Sequence, residues 1–186
     1  MAVAAETVTY SGLRFNKCDP KEPYQKFTVE QYPAGTGEIH DKGTGRCLSV
    51  RDCINKQTAS DLIPYKDIGQ VVLDKCDAGP CDGKNSKWVA VASQTVGWNV
   101  FESRDIGTSE TCFTLNAVGD GGASTNHWPL VTWGTAGACD HTSPNNQFKW
   151  DKDTGQIRLN FMPPLSGCTD ATSCCLCVAA LLPVQQ

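Results

Sequence analysis

Apolar and polar residues alternate over short stretches of this chain. Phe27-Thr-Val-Glu-Gln-Tyr32 and Cys47-Leu-Ser-Val50 have the two-residue period of half-buried strands. Seventeen glycines and ten prolines punctuate these stretches, and no segment sustains a helical period with caps. The pattern predicts an all-β chain.

The same order of segments occurs three times. The first series is Lys26-Phe27-Thr28-Val29, Gly37-Glu38-Ile39, Gly45-Arg46-Cys47-Leu48-Ser49-Val50 and Val71-Val72-Leu73-Asp74-Lys75-Cys76. The second is Lys87-Trp88-Val89-Ala90, Trp98-Asn99-Val100, Thr111-Cys112-Phe113-Thr114-Leu115 and Leu130-Val131-Thr132-Trp133, with Cys139 after it. The third opens at Phe148-Lys149-Trp150, continues through Gly155-Gln156-Ile157-Arg158-Leu159 and reaches Cys175-Leu176-Cys177-Val178. Its fourth strand lies at the other end of the chain, where Leu13-Arg14-Phe15-Asn16-Lys17-Cys18 has the shape of Val71 to Cys76. A period near 60 residues suits three lobes of four short strands. The third lobe can be anchored on Phe148 or on Trp150, and a shift of two keeps the same face inward.

Composition narrows the class. The 186 residues suit a single domain, and 16 basic against 20 acidic residues without a charge run give no footprint for nucleic acid. The longest apolar run, Val178 to Leu182, is too short to span a bilayer, so no membrane insertion is expected. Eleven cysteines, not spaced as zinc knuckles, predict disulfides and a secreted, extracellular setting. Met1-Ala-Val-Ala-Ala has neither a basic n-region nor a full apolar h-region, so Met1 is expected to be a processed or introduced end. No Asn-x-Ser/Thr tract occurs.

Three lobes, each with an aromatic strand, a turn, a C-L-x-V strand and a V-x-L-x-x-C strand, resemble the ricin-B (Q-x-W)3 family of R-type lectins over residues 10 to 178. The Q-x-W element has the variants Gln25-Lys26-Phe27, Asn85-Ser86-Lys87-Trp88 and Asn146-Gln147-Phe148. The resemblance implies a pseudo-threefold, disulfide-stapled β-trefoil, one domain over 1–186. Its lobes would run about 26–82, 87–144, and 148–178 completed by 10–25. It also implies disulfides Cys47–Cys76, Cys112–Cys139 and Cys18–Cys175. Cys53 and Cys81 lie just beyond the first pair and suit a parallel bridge, which leaves Cys168, Cys174 and Cys177 with their pairing open and one odd thiol, either free or available for self-association or a disulfide-linked partner.

A lectin of this family holds a sugar with an Asp two residues after the C-L-x-V cysteine, a stacking ring, and amides near Q-x-W. Here Ser49, Thr114 and Cys177 stand at the Asp position, and Asp74 and Asn16 at the stacking position of the first and third lobes. The second lobe offers Trp133, so the expected site is Trp133 or Trp128 stacking, with Asp120, Asn146 and Gln147 on the hydroxyls. In the competing reading, these rings cap the barrel and the amides satisfy backbone groups. No catalytic residues, metal ligands or cofactor are expected: His40, His127 and His141 fit no catalytic or metal motif and are read as loop residues, and Asp151 and Asp153 as a turn pair. The implied function is a non-enzymatic carbohydrate-binding module with a glycan as partner, galactose-type being one candidate, free-standing or appended to a secreted glycosidase or toxin-like protein. A degenerate structural or assembly subunit and a trefoil protease inhibitor are the alternatives.

Overall fold

A computed structural model describes residues 13–50, 68–77, 84–103, 111–117, 130–136, 141–160, 168–170 and 173–178; for 111–117 and 130–136 the description is of the backbone. The strands are β1 (Leu13–Lys17), β2 (Phe27–Val29), β3 (Gly35–Gly37), β4 (Ile39–Asp41), β5 (Cys47–Val50), β6 (Ile68–Asp74), β7 (Trp88–Ala92), β8 (Asn99–Ser103), β9 (Thr111–Ala117), β10 (Leu130–Ala136), β11 (Phe148–Asp151), β12 (Gln156–Leu159) and β13 (Cys174–Val178). Among the described residues, helical backbone is confined to the short 3-10 turns Pro23–Gln25, Lys84–Ser86 and Pro144–Asn146. The chain is all-β and its ladders are antiparallel.

Pairing runs along the chain in order: β2 with β4, β4 with β5, β5 with β6; β7 with β8, β8 with β9, β9 with β10; β11 with β12, β12 with β13. The last series is completed from the N-terminus, since β1 pairs β13 from Leu13 opposite Val178 to Lys17 opposite Cys174. Contacts between series come from β6 with β10, β8 with β11, and the extra strand β3 with β7.

Each 3-10 turn delivers an aromatic residue, two positions on, into the interior: Phe27, Trp88 and Phe148 are all essentially fully buried. The anchor of the third series is therefore Phe148. Trp150 lies two residues further along, half-buried, with its indole N–H donating to the Phe27 carbonyl at 3.2 Å. Ile39, Phe101 and Ile157 from β4, β8 and β12 fill the same core, joined by Leu48, Leu73, Leu176 and Phe15. Phe148 packs against Phe101 and Phe15 at ring distances of 5.9 and 6.5 Å. Trp88 places its one polar atom on the Leu48 carbonyl at 2.9 Å, which lets a large indole be buried without an unmet donor.

Disulfides lock this arrangement. Cys18–Cys175 ties β1 to β13 across a separation of 157 residues, and Cys47–Cys76 spans 29. In the chain-entropy account these contribute about 5 and about 3.5 kcal/mol respectively. Both match the expected pairs. A third bridge joins Cys168 to Cys174. Cys177 keeps a buried thiol, 2 % exposed, whose Sγ faces the Val178 carbonyl at 3.5 Å. Of the three cysteines whose pairing was open, Cys177 is thus the odd one, and its thiol lies inside β13. Cys53, Cys81 and Cys139 lie outside the described residues, and Cys112 is placed by backbone alone.

Candidate functional site

The sequence-predicted site divides into parts that the fold treats differently. Trp128 and Asp120 lie outside the described residues. Trp133 sits in β10, opposite Thr114 of β9 and Ile68 of β6. Cys112 faces Thr135 where Cys47 faces Asp74 and Cys175 faces Asn16, so by register Thr135, two residues after Trp133, holds the matching place.

Asn146 and Gln147 are 2 % and 1 % exposed and belong to the interior. The Gln147 amide donates to the carbonyls of His141 and Thr142, both at 3.2 Å, and its oxygen accepts from Asn160 Nδ2 at 2.7 Å. Gln25 does the same in the first series, donating to Lys17 O and accepting from Asp19 N and Gln156 Nε2, each at 2.9 Å. These amides satisfy backbone groups around the 3-10 turns. Committed in this way, Gln147 is not available to hold ligand hydroxyls.

Of the histidines read as loop residues, His141 does lie in a connecting segment and His40 lies in β4, and each meets a buried glutamate, Glu102 and Glu38 respectively. His141 Nε2 lies 2.7 Å from Glu102 Oε1, and His40 Nε2 lies 3.2 Å from Glu30 and 3.5 Å from Glu38. Glu38 is 3 % exposed and accepts from Ser86 Oγ at 2.7 Å and from Lys87 Nζ at 3.2 Å. The Asp77 carboxylate, 2.6 Å from Lys87, raises the lysine pKa; partial burial opposes this, and Glu38 adds to it. Glu38, His40, Cys47 and Cys76 converge closely enough to suggest a metal centre. Their sulfurs are joined to each other, however, and metal coordination needs thiolates. As it stands this cluster is a structural network around a disulfide.

A different place has the shape of a binding site. Asp151-Lys152-Asp153-Thr154-Gly155 turns β11 into β12. Asp151 Oδ1 accepts from Asp153 N at 3.1 Å and Thr154 N at 3.2 Å, while its carbonyl accepts from Gly155 N at 2.7 Å. Gly155 closes the turn at a φ of +74°, a conformation that glycine adopts without cost. The Thr154 backbone N–H, more than any other group, holds the Asp151 carboxyl below its ordinary range; partial burial opposes this, and the Thr154 hydroxyl, Asp153 N–H and Arg158 charge reinforce it. Asp151 is therefore an ionised acceptor at neutral pH, with Oδ2 aimed toward the Arg158 guanidinium 3.9 Å away.

Across the hairpin, Lys149 stands directly opposite Arg158. Lys149 is exposed and has no ion-pair or hydrogen-bond partner among the described residues. The neighbouring β7–β8 turn contributes Trp98, immediately before Asn99, which pairs with Phe148 and so sets the indole beside Lys149. The Trp98 indole N–H likewise makes no hydrogen bond among the described residues. Trp98, Lys149, Asp151 and Arg158 line a solvent-open cleft of about 480 Å³, within the usual range for small-ligand sites. An indole, a fixed carboxylate and two cationic donor groups can together take a ligand with one apolar face and several hydroxyls.

Sequence reading passed over this site because it treated Asp151 as a plain turn residue. A signal was present: Asp41-Lys42-Gly43-Thr44-Gly45 has the same D-K-x-T-G form. No family model matches the chain, and no curated protein matches it at a significant level.

Proposed function

We propose that this chain is a non-catalytic, extracellular carbohydrate-binding module with a ricin-B-like β-trefoil fold, and that it holds a saccharide in the Trp98–Lys149–Asp151–Arg158 cleft. The observation that carries the reading is the meeting of an indole without a hydrogen-bond partner among the described residues and an ionised, pre-positioned carboxylate at an open cleft. The trefoil reading draws support from three strand series headed by Phe27, Trp88 and Phe148, and from chain ends joined by β1–β13 pairing and Cys18–Cys175. The disulfides fit an oxidising compartment and hence secretion.

Binding to a broad glycan array tests the reading, with Trp98→Ala and Trp133→Ala variants carried in parallel. Stacking on an indole contributes on the order of 1–2 kcal/mol, so Trp98→Ala should weaken a bound glycan roughly tenfold or more while leaving the far-UV circular dichroism unchanged. Loss in Trp133→Ala with Trp98→Ala unaffected would move the site to β10. Absence of binding to any glycan would remove the carbohydrate reading and favour an assembly role.

A further inference from the structure

The cleft is not electrically neutral, and its charge is of the opposite sign to that of the chain. The formal net charge of the protein is −4 at pH 7. Yet Lys149 and Arg158 face each other across β11 and β12, and like charges at directly opposed positions destabilise a strand pair. Asp151 approaches Arg158 at 3.9 Å, and Lys149 has no counter-charge among the described residues. More cations gather on or against the same hairpin. Lys26 Nζ donates to the Thr154 carbonyl at 2.8 Å, Lys42 Nζ lies against Gly155, and Lys152 is exposed in the turn. On the hairpin itself, Lys149, Lys152 and Arg158 stand against two carboxylates, Asp151 and Asp153.

We infer that the cleft selects saccharides bearing an anionic substituent, a uronic carboxylate or a sulfate ester. This specificity rests on the carbohydrate reading above. Trp98 takes the apolar face of one ring, and Lys149 and Arg158 hold the anion from two sides. A forked guanidinium matches either a carboxylate or a sulfate with two parallel N–H bonds, and Lys149 supplies a second point charge. Asp151 keeps its Oδ1 on the turn and its Oδ2 3.9 Å from Arg158, an ion-pair approach beyond hydrogen-bond reach that leaves the guanidinium fork open to the anion. A bound anion would also relieve the Lys149–Arg158 repulsion, giving a differential interaction that a neutral sugar lacks.

The test measures affinity by calorimetry for three probes: a uronic-acid tetrasaccharide, the same tetrasaccharide with its carboxylates reduced to alcohols, and an O-sulfated neutral tetrasaccharide. Inorganic sulfate serves as competitor. The expected result is at least tenfold tighter binding of one anionic probe than of the carboxyl-reduced one, and the probe that wins identifies the anion. That preference should fall several-fold between 0.05 and 0.5 M salt, as screening between exposed charges requires. It should be abolished in Lys149→Ala/Arg158→Gln but kept in Lys84→Ala, which changes an exposed lysine on another turn. Equal affinity for the acidic and reduced probes, or neutral glycans alone binding on the array, would overturn the anion specificity and leave the carbohydrate reading standing. Inorganic sulfate displacing the probe at the probe's own affinity would mean bare anion binding and would also overturn it. Failure of every saccharide would remove both.

Discussion

The two D-K-x-T-G turns share their local chemistry and differ in everything around them. In each, an aspartate ends a strand, its carboxylate accepts from the threonine backbone N–H, and its carbonyl accepts from a glycine N–H: Asp41 with Thr44 at 2.8 Å and Gly45 at 2.8 Å, Asp151 with Thr154 at 3.2 Å and Gly155 at 2.7 Å. Gly45 and Gly155 have φ values of +69° and +74°. Asp41 is nevertheless 2 % exposed and also accepts from the Thr44 hydroxyl, whereas the Asp151 side chain is 29 % exposed and looks onto a cleft beside Arg158 and Trp98. Identical turn chemistry therefore serves the core in one place and a surface site in the other. What surrounds the carboxylate, and not the motif, decides its role.

The largest expected effect comes from the buried member of the pair. Asp41→Ala removes a buried carboxylate and the two hydrogen bonds it accepts from the exposed Thr44, and should cost about 2 kcal/mol by urea unfolding, whereas Asp151→Ala should cost well under about 1 kcal/mol. Equal losses in the two variants would erase the distinction drawn here. Next come the glycines. In Gly155→Ala the new Cβ would sit 3.4 Å from the Phe27 carbonyl and 3.5 Å from Lys42 Nζ, ordinary van der Waals distances, and in Gly45→Ala it meets nothing within 4 Å, so the left-handed backbone governs both. We expect about 1 kcal/mol for each, read as a shift in denaturation midpoint. A loss well above this in Gly155→Ala alone would mean that packing around the turn at 151–155, and not its backbone, sets the cost.

The smallest effect is in pH. Since the folded Asp151 carboxyl lies below its unfolded value, its contribution is fully present above the unfolded pKa of about 4 and is lost as pH falls through the lower folded value. Glycan affinity measured from pH 7 to 4 should stay flat and then weaken below about pH 4, and Asp151→Asn should remove that acid limb. A limb centred at pH 6 to 7 would assign the titration to another group.

Much of the fold was legible because it rests on short-range pattern. The alternation in Phe27 to Tyr32 and the threefold order of apolar strands and glycine turns foretold an all-β chain, and the family resemblance that the matched cysteines support implied two of its disulfides, Cys18–Cys175 and Cys47–Cys76. The candidate site was not legible. Asn146 and Gln147 carry the side chains a sugar site needs, but hydrogen-bonding capacity says nothing of whether a ligand or the backbone fills it. Here Gln147 is filled by His141, Thr142 and Asn160. Trp98 lies more than 50 positions before Asp151, in a different strand series, and only the Asn99–Phe148 pairing brings the two turns together.

The sequence by itself determined the strand content, the closure of the chain on its own N-terminus and the turns that require glycine, because these follow from side-chain period, covalent sulfur chemistry and local backbone sterics. Tertiary structure alone decided which of two equal aspartate turns faces solvent, which histidines meet buried glutamates, and that Lys149 and Arg158 confront each other across one hairpin. Those outcomes depend on register and on packing between strands far apart in the chain. The energy of a charge or an amide is set by such neighbours, and a linear pattern does not contain them.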